Sequence, residues 1–442
     1  MDKTVSPKVR RSHMSRFPNK ILKRLLGSKL AQSIAILASG SLLAQAVTML
    51  ASPVLTRLYT PAEFGLFAAF MALVSTLMPA ICGRFEFAVV VANSNAHAKQ
   101  LLGLALQAAF FLSVTVGLAL FFLDSIESNV IYTKNIGAWL YCVPIFLMLG
   151  AVVLAFSYQS NRLHHYGLIA KVNLVQAIIG VFTTIGFGLL DFKTNGLLIG
   201  NLMGLIAVNV WLLYFYRSML SHQILLSVSR KTYIFRKYHH FPIYDAPTAL
   251  LNGVASALPV FFLTEFFSAD IVGYYALLMR VAQAPLGFIS TAVSQINLKK
   301  VSDLVHAEQP IRPYLLQITL VLMIIVVPAS LILVLFSPDL FASVFGDQWR
   351  MAGVLTQIFA PALGLRFVVS TVSGVLDATG NNRLAAMWKT ISFTVTLLMF
   401  SLSAYRLDIE ELFVAMLITD VTLYLIYYLL IWYAAGNPRM LR

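Results

Sequence analysis

The sequence predicts an all-α integral membrane protein of about twelve transmembrane helices, built as two related six-helix lobes with both termini in the cytoplasm. Three observations predict it. Charge is scarce, positive charge alternates between the two sides of the expected membrane, and one segment recurs 208 residues further on.

Hydrophobic types make up 59% of the 442 residues and charged types only 11%, against roughly 25% charged in soluble domains. A soluble fold of this length needs a hydrated, charged surface that this composition cannot supply. Lipid is therefore the expected solvent. Cys82 and Cys142 both fall inside apolar runs. Neither a disulfide framework nor a metal-ligand spacing is present, and both read as small packing residues.

The elements follow in chain order. Residues 1–30 carry nine Lys/Arg and one acid, too long and too basic for a signal-peptide n-region. The run that follows, to Leu55, is too long for an h-region and lacks a small-residue cleavage site. It reads as a retained first helix. The stretch Lys20-Ile-Leu-Lys-Arg-Leu-Leu26 suits an amphipathic surface helix or a charged topogenic tail. A helix crossing the hydrocarbon core needs roughly 20 apolar residues. Runs of that kind fall at 31–56, 64–92, 100–123, 136–159, 167–190, 196–216, 242–264, 271–297, 313–336, 350–376, 384–404 and 411–433. In lipid every backbone polar group needs an internal partner, so each run is expected as helix. The organisation is then a basic segment 1–30, an N-lobe 31–216, a basic connection 217–241, a C-lobe 242–433 and a tail 434–442.

With the N-terminus in the cytoplasm, inner segments hold 25 of the 32 Lys/Arg and outer loops five: Arg57, Lys134, Lys193, Arg350 and Arg406. Arg280 and Arg366 remain inside spans. No outer loop is net positive. One helix more or fewer would scramble this alternation downstream. The net charge of +14 is thus a topology signal facing anionic headgroups, and a nucleic-acid partner is not expected.

The repeat pairs Leu55-Thr-Arg-Leu-Tyr-Thr-Pro-Ala-Glu-Phe-Gly-Leu-Phe-Ala68 with Leu263-Thr-Glu-Phe-Phe-Ser-Ala-Asp-Ile-Val-Gly-Tyr-Tyr-Ala276. A weaker echo pairs Asn161-Arg-Leu163 with Asn382-Arg-Leu384. Six helices per half make the repeat parallel, about an axis normal to the membrane. Transporters use such an interface to hold a central cavity that opens alternately to either side.

No metal cluster, nucleotide-binding glycine loop or nucleophile–base pair is legible, so neither an enzyme nor a cofactor is expected. His164-His165 and His239-His240 lie in inner connections and read as headgroup-facing. Energy would come from a gradient of H+ or Na+, or from substrate consumption. Intramembrane charges are the remaining candidates, because a charge at the bilayer centre costs roughly 2.5–3.5 kcal/mol and seeks a wet cavity or a partner. Arg280 and Arg366 sit near mid-membrane, too deep for easy snorkelling. Arg84 and Glu86 sit toward the inner end of the second span, in a cavity wall or at the interface. Asp245, about one turn into the seventh span, and Asp420, inside the twelfth, have structural pairing as their alternative. Arg84, Arg280 and Arg366 are the candidate substrate-binding residues, since guanidinium grips phosphate bidentately and stays charged. Glu86, Asp245 and Asp420 are the candidate ion-coupling residues. Pro53 and Pro259, at similar depth in the first and seventh spans, suggest hinges.

Several of these stretches also carry a resemblance. Leu55-Thr-Arg-Leu-Tyr-Thr-Pro-Ala-Glu-Phe-Gly65, Arg84-Phe-Glu-Phe-Ala-Val-Val-Val91, Met279-Arg-Val-Ala-Gln-Ala-Pro-Leu-Gly-Phe-Ile289, Val344-Phe-Gly-Asp-Gln-Trp-Arg-Met-Ala-Gly353 and Asp377-Ala-Thr-Gly-Asn-Asn-Arg383 resemble the Wzx-type lipid-linked oligosaccharide flippases. These belong to the polysaccharide-transport branch of the MATE-like MOP superfamily. The resemblance spans 31–433. It implies a MATE-like fold in the bacterial inner membrane and a cationic central cavity. It further implies flipping of undecaprenyl-diphosphate-linked oligosaccharide repeat units to the outer leaflet, for O-antigen, capsule or exopolysaccharide. Membrane lipids and other polysaccharide assembly proteins are the implied partners. One departure is Glu265, which stands where the repeat has Arg57. A multidrug or small-cation antiporter of the same superfamily is the first alternative, disfavoured because it calls for a cavity rich in acids and aromatics, whereas Arg84, Arg280 and Arg366 stand here against sparse acids. A membrane polymerase or transferase is the second, disfavoured by the short outer loops.

Overall fold

The computed structural model describes residues 29–125, 136–217, 228–403 and 407–437. Residues 1–28, Lys134, Arg406 and the tail beyond residue 437 lie outside them. Every regular element among the described residues is helical. Eleven are long and apolar enough to cross a membrane. The remaining expected span, 271–297, lies within a helix of 38 residues whose interior carries Arg280 and Gln283.

In the first half, α1 is Lys29–Leu58 and α2 is Pro61–Leu77, continued by a 3-10 turn Met78–Ala80. A short α3, Phe85–Val91, follows. Then come α4 (Asn95–Ser125), a 3-10 segment Gly137–Cys142 leading into α5 (Val143–Arg162), α6 (Tyr166–Leu189) and α7 (Lys193–Phe215). Here the expected continuous span 64–92 is broken. Gly83 and Arg84 stand at φ +58° and +60°, a left-handed pair that no α-helix accommodates. The carbonyls left free at the C-terminal end of α3 are claimed by Arg162 Nη1, which donates to Val89, Val90 and Ala92 at 3.0, 3.1 and 2.7 Å.

The basic connection holds a helix that periodicity did not reveal, α8 (Val228–Lys237). Its Ile234 and the following Tyr238 are buried in the core of the first half. A π-turn, Phe241–Asp245, opens α9 (Ala246–Phe266). The second half continues with α10 (Ala269–His306), α11 (Arg312–Phe345), a 3-10 turn Asp347–Trp349, α12 (Arg350–Val372), α13 (Gly374–Ala378), α14 (Asn382–Ser403) and α15 (Ile409–Gly436). Pro53 and Pro259 lie inside α1 and α9, whose helical hydrogen bonding continues past them.

One large core cluster, from Ala69 to Tyr238, is built from the first half together with the connection that follows it. Two others draw their buried residues from the second half. A fourth joins the halves: Leu55, Tyr59, Phe64 and Leu197 from the first, with Leu277, Phe341, Phe345, Trp349 and Ala352 from the second. This is where the repeated segments meet. Each starts a helix from an extended N-cap, Thr60 (φ −76°, ψ 160°) and Ser268 (φ −72°, ψ 157°). Thr60 and Glu63 close a capping box. Gly65 and Gly273, offset by the repeat itself, then face each other. A Cβ on Gly65 would fall on Ala269 and within 3.0 Å of the Gly273 nitrogen. A Cβ on Gly273 would fall on Pro61 and within 3.2 Å of the Gly65 nitrogen. Only glycine lets the two backbones approach so closely.

The loop between α11 and α12 completes this seal. Gly346 stands at φ +108°, a conformation open essentially to glycine alone. The chain therefore folds back and carries Gln348 and Trp349 onto α1. Thr56 is in the last turn of α1, so its carbonyl lacks a helical donor. Gln348 Nε2 and Trp349 Nε1 donate to it at 2.7 and 2.9 Å. The indole is fully buried between Phe64 and Tyr274, with ring centroids 5.2 and 6.0 Å away. At the other end of α2, Gly253 of α9 closes on Thr76, whose carbonyl oxygen a Cβ would meet at 2.5 Å.

Candidate functional site

Two cavities occupy corresponding places in the halves. The first, about 280 Å³, lies among α1, α2, α6 and α7, directly beneath the seal, with which it shares Leu55, Phe64 and Leu197. Its polar lining comes from helical spacing. Gln45 and Thr48 are three apart on α1, while Asn173, Gln176, Gly180 and Thr184 follow one face of α6. Asn201 stands on α7. A carboxamide left in hydrocarbon without a partner costs several kcal/mol, so these side chains turn to the cavity. Across the junction Arg280 of α10 reaches in from the second half. Its Nη2 donates to the Thr48 carbonyl at 3.2 Å. Among the described residues the guanidinium is the one charged group lining this cavity.

The second cavity, about 410 Å³, lies among α9, α10, α12, α14 and α15. Arg366, Lys389 and Asp420 line it, with Asn252, Ser256, Ser392, Thr396, Trp388 and Tyr424. Arg366 sits with its guanidinium carbon 5.8 Å from the Tyr424 ring centroid. Among the described residues neither Arg366 nor Asp420 belongs to an ion pair within 4.0 Å. Trp388 stacks on Tyr427 at 3.8 Å between centroids and forms one wall.

The sequence-predicted residues therefore divide. Arg280 lines one cavity; Arg366 and Asp420 share the other. Arg84 and Glu86 line neither. They pair with each other at 3.7 Å at the break between α2 and α3. Arg84 also lies over the Phe87 ring, 3.9 Å from its centroid. Glu86 is completely buried, and its carboxylate accepts no hydrogen bond among the described residues. The physical reason is the left-handed corner, which turns Arg84 back toward its own neighbours. Asp245 lies in the π-turn before α9, exposed, and lines neither cavity. Lys389, read from sequence as an inner-side topology charge, faces the second cavity. Gln45, Asn173, Gln176 and Asn201 carry no charge and drew no notice, although the i, i+3 spacing of Asn173 and Gln176 in an apolar helix was the available signal.

Comparison with known proteins places this geometry. A family model described as "Polysaccharide biosynthesis protein" matches residues 54–353. No curated protein matches the sequence significantly. Among solved structures, the fold is similar to one described as lipid II flippase MurJ in an inward closed conformation (TM-score 0.68, 11% identity, 91% of this chain and 87% of that one). It is also similar to an inward-facing multidrug resistance MATE family transporter of the MOP superfamily (TM-score 0.64, 11% identity, 88% and 94%). A third is the MATE multidrug transporter DinF-BH (TM-score 0.61, 15% identity, 98% and 99%). The fold is therefore that of the MOP superfamily.

Proposed function

The chain belongs to the family of polysaccharide biosynthesis proteins, and from that premise we propose that it is a flippase for undecaprenyl-diphosphate-linked oligosaccharides. Family and fold support a multi-pass membrane protein of the flippase or transporter kind. The substrate rests on the chemistry of the cavities. Arg280 carries the proposal: it is a permanently charged guanidinium on a helix of one half, aimed into a pocket walled by the other. A diphosphate bound there would bridge the halves, which is where alternating access needs its ligand. Guanidinium offers planar, bidentate donors to phosphate and is weakly hydrated, so it serves in a partly dry site. Among the described residues the second cavity sets Arg366 and Lys389 against a single carboxylate, Asp420. That balance favours an anion over the organic cations of a multidrug antiporter.

In this mechanism the seal at the α1–α2 end is the outer gate, an orientation supported by the excess of Lys/Arg at the opposite end. The lipid head enters from the inner leaflet while the polyprenyl chain stays in the bilayer. Its phosphates compete with the Thr48 carbonyl for Arg280. Opening then separates Gly65 from Gly273 and withdraws Trp349 from Thr56. Asp420 is the coupling candidate for H+ or Na+, because it can exchange its ion with the cavity beside Arg366. Surface polysaccharide synthesis in the bacterial inner membrane is the setting.

Charge reversal tests it. Arg280→Glu, at normal protein level, is expected to trap lipid-linked intermediate in the cytoplasmic leaflet and abolish glycan export. Undiminished export would refute the phosphate role.

A further inference from the structure

We propose that the cavity beneath the seal is a glycan-reading pocket, in which Gln45, Gln176 and Asn201 hold a neutral or acidic sugar ring while Arg280 holds the adjoining anion. It rests on the flippase reading and deepens it by assigning the sugar end of the substrate to the first half. Asn173 donates to Ser41 Oγ at 3.3 Å, so part of its amide is already engaged. Gln45, Gln176 and Asn201 make no side-chain hydrogen bond among the described residues, yet all three line the cavity. Each presents two donors and an acceptor. Sugar hydroxyls both donate and accept, so a carboxamide matches either sense of each hydroxyl. A carboxylate or an ammonium would match only one.

The charges in the lining set the ligand class. Among the described residues no carboxylate stands in this wall and one guanidinium does. An amino sugar with a free ammonium would meet Arg280 unfavourably, whereas a neutral sugar, an N-acetyl sugar or a uronate would not. Phe64 and Phe67 supply an apolar surface for the C–H face of a ring. The volume of about 280 Å³ lies at the low end of ligand pockets, roughly 300–1,000 Å³. It suits one or two sugar rings and excludes a polyprenyl chain. The second cavity differs in kind. Its formal charges Arg366, Lys389 and Asp420 make it a place for phosphate or a coupling ion, and among the described residues Asn252 is its one carboxamide.

The test uses the full chain in proteoliposomes and in detergent, with four probes. These are undecaprenyl diphosphate itself and the same carrier bearing a neutral hexose, an N-acetylhexosamine or a uronate. Flipping and binding are measured for wild type, Gln176→Leu, Asn201→Leu and Arg280→Gln. Thermal unfolding midpoints identify variants that fold. The expected result is a wild-type preference for at least one glycosylated carrier over the bare one. The two Leu variants should lower that preference at least tenfold, whereas Arg280→Gln should weaken all four probes together. A wild type with no preference, or folded Leu variants that keep it, would overturn the pocket while leaving flipping intact. A wild type that binds a glycosylated carrier through Gln176 and Asn201 but flips none of the probes would keep the pocket and sink the flippase reading instead.

Discussion

Placing one methyl group at the crossing of the two repeats should unlock the seal. In Gly65→Ala the new Cβ would fall on the Ala269 carbonyl, 2.8 Å from its carbon and 3.0 Å from the Gly273 nitrogen. Ordinary carbon contacts lie at about 3.5–4.0 Å, so α2 and α10 must part by about 1 Å here. The obstructing atoms are backbone near the starts of two helices and have no rotamer with which to retreat. Overpacking of this kind costs about 1–3 kcal/mol. The cost falls on the closed arrangement, because separating the halves relieves it. The ratio of closed to open protein should then drop by a factor of about 5–150. Arg57 Nη2 donates to the Ser343 carbonyl at 3.4 Å, so a cysteine pair at these positions, with Cys82 and Cys142 replaced by alanine, reports closure through a short bifunctional thiol reagent. Cross-linking should fall in Gly65→Ala and likewise in Gly273→Ala. Gly186→Ala in α6, where a Cβ would meet nothing within 4 Å, is the control and should cross-link as the parent does. Unchanged cross-linking in Gly65→Ala would refute the idea that this crossing is a gate.

Other perturbations have equally direct expectations. Arg84→Met leaves the buried Glu86 carboxylate without its cation and should destabilise the protein by about 3–5 kcal/mol. The double variant Arg84→Met, Glu86→Leu should recover most of that in thermal unfolding, whereas a lasting deficit would show that the pair does more than compensate itself. Trp349→Phe keeps an aromatic ring beside Phe64 but removes the donor to Thr56, so it should weaken closure by about 1 kcal/mol in the same cross-linking assay. Asp420→Asn removes the carboxylate of the second cavity. Flipping that depends on an imposed H+ or Na+ gradient should lose that dependence, and retention of full gradient sensitivity would assign coupling elsewhere.

Arg280 and the break at Arg84 show how unevenly the site was written in the chain. A lone guanidinium deep in an apolar run is costly anywhere but a cavity or a pair, so Arg280 and Arg366 stood out by composition. Which cavity each enters depends on helix rotation and lobe contact, and no local pattern carries that. Arg84 looked equivalent by depth. Two consecutive left-handed residues redirected it onto Glu86, and apolar periodicity has no signature for such a corner. Carboxamides were overlooked for a different reason. They add no charge to an apolar run, and their meaning arises only when α1, α6 and α7 bring Gln45, Gln176 and Asn201 to one space.

By itself the sequence determined the solvent, the helical state of every span and the doubling of the chain. Each follows from a local or additive quantity: too few charges for a water-facing surface, runs long enough for hydrocarbon, backbone groups that lipid cannot satisfy, and a segment repeated at offset 208. Only the tertiary structure decided that the repeated segments touch, glycine to glycine, and that Trp349 closes over the orphan carbonyl of Thr56. It alone set Arg280 in a pocket belonging to the other half. Those are relations between helices far apart in the chain, fixed by close packing of whole surfaces, and packing is a property that no single segment holds.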